Sequence, residues 1–102
     1  MDSRPRPLAE TELASAVGLL DDWRLANGCL ERWFECVDFP SAVAWVEALV
    51  PLAEALGHHP DIDIRYRRVR LSLVTHDCGK RVTDWDIELA SRIDAAWRGG
   101  KI

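Results

Sequence analysis

The chain has no unbroken apolar run of the ~18 residues that a membrane-spanning helix needs, and its first residues carry no apolar leader segment. It lacks a basic excess, since 13 Lys and Arg stand against 17 Asp and Glu for a formal charge of −4. That balance argues against a nucleic-acid partner, which would call for a basic patch. It also lacks a cysteine framework. Cys29, Cys36 and Cys78 are an odd number at no recognisable spacing, which suits reduced thiols in a cytosol. No C-x-x-C or H-x-x-x-H pair offers tetrahedral metal ligands, and there is neither an internal repeat nor a low-complexity stretch. These absences lead us to expect a soluble cytoplasmic protein with no metal, no membrane contact and no nucleic-acid partner.

The 102 residues suffice for one domain that buries about two-thirds of its unfolded surface. Residues 1–7, with two prolines and two arginines, read as a flexible N-terminal arm, and residues 8–102 as the domain. From Leu8 to Leu20 the apolar residues Leu13, Ala16, Val17 and Leu20 fall at helical spacing, with Glu10 and Glu12 in the first turn. Trp23–Ala26 alternates, Asn27-Gly28 is a two-residue hairpin signal, and Cys29–Val37 is the returning strand. In that strand Leu30, Arg32, Phe34 and Cys36 share one face and Glu31, Trp33, Glu35 and Val37 the other; the pattern leaves the inward face undecided.

Asp38 or Ser41 can cap a second helix from about Ala42 to Leu56, with Pro51 expected to kink it and Gly57 to end it. After Pro60, Ile62, Ile64 and Tyr66 alternate with charged residues, and the apolar phase then shifts to Val69, Leu71 and Leu73. Side-chain parity cannot change within one strand, so a turn or bulge near Tyr66–Arg68 divides two strands. Thr83 or Asp84 caps a last helix to about Arg98, whose buried side comes from Ile87, Ala90, Ile93 or Ala96, and Trp97. The order α-β-β-α-β-β-α gives an α+β fold, a four-stranded antiparallel sheet with three helices packed on one face.

The candidate site is built on histidine. His58 and His59 leave the C-terminal end of the second helix, and His76 follows the last strand. Imidazoles give and take protons near neutral pH. Glu54 lies one turn before His58, close enough to orient or pair with it.

Glu54-x-x-x-His58-His59-Pro60, Tyr66, His76 and Asp86, at these spacings, resemble the signature of the pterin-4a-carbinolamine dehydratases. Trp23, Asp38-Phe39, Thr75-His76-Asp77 and Thr83-x-x-Asp86 fall in register with it, and the resemblance covers nearly the whole chain from Leu8. It implies dehydration of a 4a-hydroxytetrahydropterin to the quinonoid dihydropterin without metal or organic cofactor, an α+β fold, and a homodimer or homotetramer. It also implies that His58, His59 and His76 surround the pterin, the first two in proton transfer and the third in binding, with Glu54, Asp61 and Asp86 in support. The chain departs from the pattern in three places. Pro51 replaces a helix former, Cys36 an aromatic residue, and Gly79–Thr83 a Gly-Gly-Leu-Thr loop one residue shorter.

Blander readings compete for the same residues. His58-His59 alone could be a solvated helix end, Asp61 a turn residue, Asp86 a first-turn carboxylate and Glu54 a surface one. A metal site from the three histidines and Cys78 lacks the spacing, and Cys78 as a nucleophile lacks an activating setting beyond His76. Arg65, Arg67, Arg68 and Arg70 fit a solvated sheet face better than a nucleic-acid patch. Trp33 and Trp45 are candidates for an oligomer contact. A second class of function is a non-catalytic interaction protein that stabilises a partner's dimer.

Overall fold

The computed structural model describes residues 5–76 and 79–99, so Asp77 and Cys78 lie outside the described residues. Its elements are α1 (Glu10–Gly18), β1 (Arg24–Ala26), β2 (Cys29–Glu35), α2 (Phe39–Leu56), β3 (Asp61–Arg65), β4 (Arg68–Leu73) and α3 (Asp84–Gly99). The strands form one antiparallel sheet in the order β1-β2-β4-β3.

Both turns expected from sequence are present. Asn27 and Gly28 take φ of 53° and 78°, the left-handed pair that closes a tight hairpin, and Ala26 faces Cys29 across it. The parity shift is a second two-residue turn, Tyr66-Arg67, with Tyr66 at φ 58° and Arg65 facing Arg68.

Register decides the inward face that alternation left open. Leu30, Arg32 and Phe34 of β2 stand opposite Leu73, Leu71 and Val69 of β4, and all of these are buried. Trp45, Leu49 and Ala42 of α2 and Leu89, Ala90 and Ile93 of α3 cover them. Leu13 and Val17 of α1 add to the same cluster from its margin. Trp45 is a core residue, packed against Phe34 and Trp97, and so is not the oligomer contact for which it was a candidate.

The opposite face carries a charge lattice. Glu31 takes Arg24 at 3.2 Å and Arg70 at 2.9 Å, Arg70 also pairs with Asp63, and Arg68 lies over the Trp33 ring. The bond from Arg70 is the main reason the Glu31 carboxyl titrates below its ordinary range. The strand arginines are thus largely matched by acids on the same face, as a solvated sheet requires.

α2 begins earlier than expected. Asp38 is its N-cap, accepting from the Ser41 amide at 2.9 Å, and the helix continues unbroken through Pro51. It is the one described helix long and apolar enough for a bilayer, yet Ala42, Trp45, Leu49 and Ala53 are buried in the core. Cys36 is buried beside its start, and that burial raises its thiol pKa. Cys29 and Cys36 are both free thiols. Ahead of α1, the Arg6 amide donates to Asp84 and Pro7 bridges Thr83, which ties residues 6–7 to the start of α3.

α3 also buries a charge that its apolar pattern did not include. Asp94 accepts from Trp23 Nε1 at 2.7 Å, from Arg32 at 2.7 Å and from the Asp21 amide at 3.0 Å. The Arg32 guanidinium lies 4.3 Å from the Phe34 ring centre. One carboxylate therefore joins β2, α3 and the segment entering β1. Removing one partner of a buried pair strands the other, at about 3–5 kcal/mol. Asp94→Ala is expected to lower unfolding stability by about that amount in urea titrations, and a loss below 1 kcal/mol would show that the network is not holding these elements.

Candidate active site

The end of α2 fixes the first histidine. Gly57 takes φ 62°, its amide donates to the Glu54 carbonyl, and the His58 amide reaches back to Ala53. This reciprocal pair is a Schellman ending, which satisfies the last carbonyls and sets the direction in which the chain leaves. His58 turns inward and is 8% exposed; His59 turns outward into solvent.

The start of α3 supplies what His58 meets. Thr83 is the N-cap: its Oγ1 accepts from the Trp85 amide at 3.2 Å, and Asp86 reaches back to accept the Thr83 amide at 2.8 Å. Asp86, at N3, thus makes the return half of a capping box, while the N2 amide takes the Thr83 hydroxyl. Asp86 is completely buried, and its Oδ1 lies 2.5 Å from His58 Nε2. Thr75, at the end of β4, donates to Asp86 Oδ2 at 2.8 Å and shares a 2.7 Å bond with the Thr83 hydroxyl. The Thr75↔Arg81 bridge closes the loop that follows His76.

Gly57, His58, His59, Thr75, His76 and Trp85 line a cleft of about 210 Å³. His76 is exposed at its rim, and the Trp85 ring stands edge-on to His58 with centroids 5.7 Å apart. A second, apolar groove of about 200 Å³ runs along α2 past Val46 and Val50 to Glu54, His59 and Ile62. His59 stands between the two clefts, with Nε2 2.6 Å from Glu54 Oε2. Both members of that pair are mostly exposed, so water screens it.

The three histidines line one cleft, and their supporting residues differ from the expected ones in two ways. Glu54 pairs with His59 and not with His58; His58 takes Asp86 instead, because the Schellman turn sends the two rings in opposite directions. Asp61 opens β3 as an exposed residue and does not line the histidine cleft. Tyr66 is 71% exposed at a hairpin tip, also outside it. Thr75, Thr83 and Trp85 were not among the expected site residues. The Thr83-x-x-Asp86 pattern is the signal that could have found one of them, since it marks a capping box.

Among the described residues no group of three His, Cys, Asp or Glu is placed to hold a metal ion. The site is a partly apolar cleft with two imidazoles backed by carboxylates and a third at its rim. Such a site suits proton transfer to and from a small polar molecule. Fold and site together define a small α+β protein with a histidine-lined cleft at the junction of α2, α3 and the sheet.

The comparisons make the assignment more specific. The family model described as pterin 4 alpha carbinolamine dehydratase matches residues 6–96. A protein of Chloroflexus aurantiacus, provisionally named pterin-4-alpha-carbinolamine dehydratase, is 51% identical over 87 residues, 85% of this chain and 92% of the relative. A Sulfurisphaera tokodaii protein with the same provisional name is 37% identical over 87% of this chain and 95% of its own. The crystal structure of a transcriptional coactivator/pterin dehydratase from Brucella melitensis superposes with a TM-score of 0.82 at 33% identity, covering 88% of this chain and 97% of that one. A pterin dehydratase-like protein, identified as a RuBisCO assembly factor in the alpha-carboxysome, gives 0.59 at 26% identity over 74% and 88%. The chain belongs to the pterin-4-alpha-carbinolamine dehydratase family.

The two carboxylates differ in what they hold. Asp86→Ala strips a buried ring, a hydroxyl and an amide of their acceptor, and is expected to cost about 3 kcal/mol or more. Glu54→Gln touches only an exposed pair and is expected to stay within about 0.5 kcal/mol of wild type. Chemical denaturation of the two variants side by side checks this, and equal losses would show that the Asp86 contacts do not carry the difference.

Proposed function

We propose that the chain dehydrates 4a-hydroxytetrahydropterins to quinonoid dihydropterins, as a hydro-lyase in tetrahydrobiopterin recycling. The observation that carries this reading is the cleft that gathers His58, His59 and His76 in a chain of this family. The elimination breaks the C4a–O bond and forms the N5–C4a double bond; the hydroxyl leaves as water after gaining one proton, and N5 loses one. Neutral and protonated imidazoles can serve the two ends near neutral pH. In this reading His58 and His59 transfer the protons and His76, at the rim, binds or polarises the pterin. Asp86 orients His58, and Glu54 tunes His59. The residues need no metal or organic cofactor for this step, and a small pterin in the cytoplasm is the partner.

General acid–base catalysis is typically worth about 10²–10⁴ in rate. His58→Ala and His59→Ala are each expected to lower kcat by that order, the double variant by more, and His76→Ala to raise KM at least as much as it lowers kcat. Activity is expected to survive exhaustive chelation. A folded double variant that turns over a 4a-hydroxytetrahydropterin at the wild-type rate would place the chemistry elsewhere.

The likeness to the RuBisCO assembly factor favours one other reading, a non-catalytic protein that stabilises a partner's dimer. Turnover by the purified chain separates the two, because an interaction protein needs none.

We also propose a homodimer or homotetramer. β3 is an open sheet edge, and Ile62 and Ile64 remain 40% and 36% exposed although Leu71 and Val69 opposite them are buried. Val50 is 55% exposed beside them on the apolar groove. Open edges flanked by apolar surface invite pairing. Light scattering at micromolar concentration is expected to show a multimer, and a strict monomer would overturn this.

A further inference from the structure

We propose that Thr75 and Thr83 are positioning residues for His58: their hydroxyls hold Asp86 as a carboxylate, so that His58 keeps its proton on Nε2 and offers Nδ1 to the cleft. The proposal rests on the reading that His58 transfers protons, and it adds which of its nitrogens does so and what decides it.

The Trp85 amide can only donate, so Thr83 Oγ1 accepts from it at 3.2 Å. Thr83 has one hydroxyl proton. Its own Oγ1 is 3.5 Å from Asp86 Oδ2, whereas Thr75 Oγ1 is only 2.7 Å away. The better geometry gives that proton to Thr75, which in turn places its own on Asp86 Oδ2 at 2.8 Å. The chain therefore runs one way, from the Trp85 amide through Thr83 and Thr75 to the carboxylate. Such chains strengthen each of their bonds.

Asp86 Oδ2 receives a second fixed donor, the Thr83 amide at 2.8 Å. With two hydrogens already directed at it, Oδ2 has no place for an acid proton. Donors of this kind favour the charged carboxylate. Oδ1 is left facing His58 Nε2 at 2.5 Å, and a carboxylate there can only accept. The bond made by one imidazole nitrogen sets the role of the other. His59 and His76 line the same cleft as His58, and Asp86 stands against its ring.

Each threonine acts on His58 through Asp86, so loss of a hydroxyl should disturb the ring's tautomer and the rate; Thr75 also lines the cleft, and the tautomer is the readout that separates the two roles. The test is long-range ¹H–¹⁵N correlation of the full chain at a pH where the rings are neutral, with signals assigned by comparison with His59→Ala and His76→Ala. His58 is expected to show a protonated Nε2 and a bare Nδ1. In Thr75→Val the two tautomers should mix and kcat fall by about tenfold or more, the scale on which outer-shell hydrogen bonds orient a metal-bound imidazole. Thr75→Ser, which keeps the hydroxyl, should recover most of the rate and the single tautomer.

A wild-type His58 protonated on Nδ1 overturns the proposal, whether or not Thr75→Val folds. So does a folded Thr75→Val with unchanged ring signals and kcat. If the wild type shows the expected tautomer but no dehydratase turnover, the proposed function fails while the positioning of His58 stands.

Discussion

A carboxylate taken wholly out of water must be met by donors, or its desolvation undoes the fold around it. Asp86 is the place where this chain accepts that demand. Its two oxygens collect the amide of Thr83, the hydroxyl of Thr75 and the ring of His58. Those three groups come from the start of α3, the end of β4 and the end of α2. One buried charge thereby fixes how three elements meet, and they meet at the cleft. The cap that begins α3 and the buttress of His58 share one residue, Asp86.

Asp94, two turns further along α3, does the same at the other end of the sheet. It draws Trp23, Arg32 and the Asp21 amide onto one residue. Between the two carboxylates the helix presents Leu89, Ala90 and Ile93 to the sheet. Apolar burial supplies most of the driving force, but it is non-directional. The two acids add direction, because their bonds are satisfied in only one seating of α3. The outer face of the sheet uses charge differently. There Arg24, Glu31, Arg70 and Asp63 are bound in a half-wet lattice that keeps that face polar.

The two histidines at the end of α2 show how adjacent residues acquire unlike surroundings. The Schellman turn pins the backbone of His58 and sends its ring inward to a dry carboxylate, while His59 meets a wet one. Two identical side chains, adjacent in sequence, thus occupy one buried and one solvent-screened setting.

The sequence by itself determined the element order and both hairpins. Asn27-Gly28, the parity shift at Tyr66, the Gly57 stop and the 3.6-residue stripe of α2 are local signals, set by allowed backbone angles and side-chain period. It did not determine which face of β2 points inward, because Leu30, Arg32 and Phe34 mix a charge into the apolar row. It also did not give the partners of Glu54, Asp86 and Asp94, or separate Asp61 and Tyr66 from the cleft. Those are pairings across tens of residues. A carboxylate on a helix looks like a solvent-facing one until a ring or guanidinium from another element stands against it, and only the tertiary structure brings that partner to within hydrogen-bond distance.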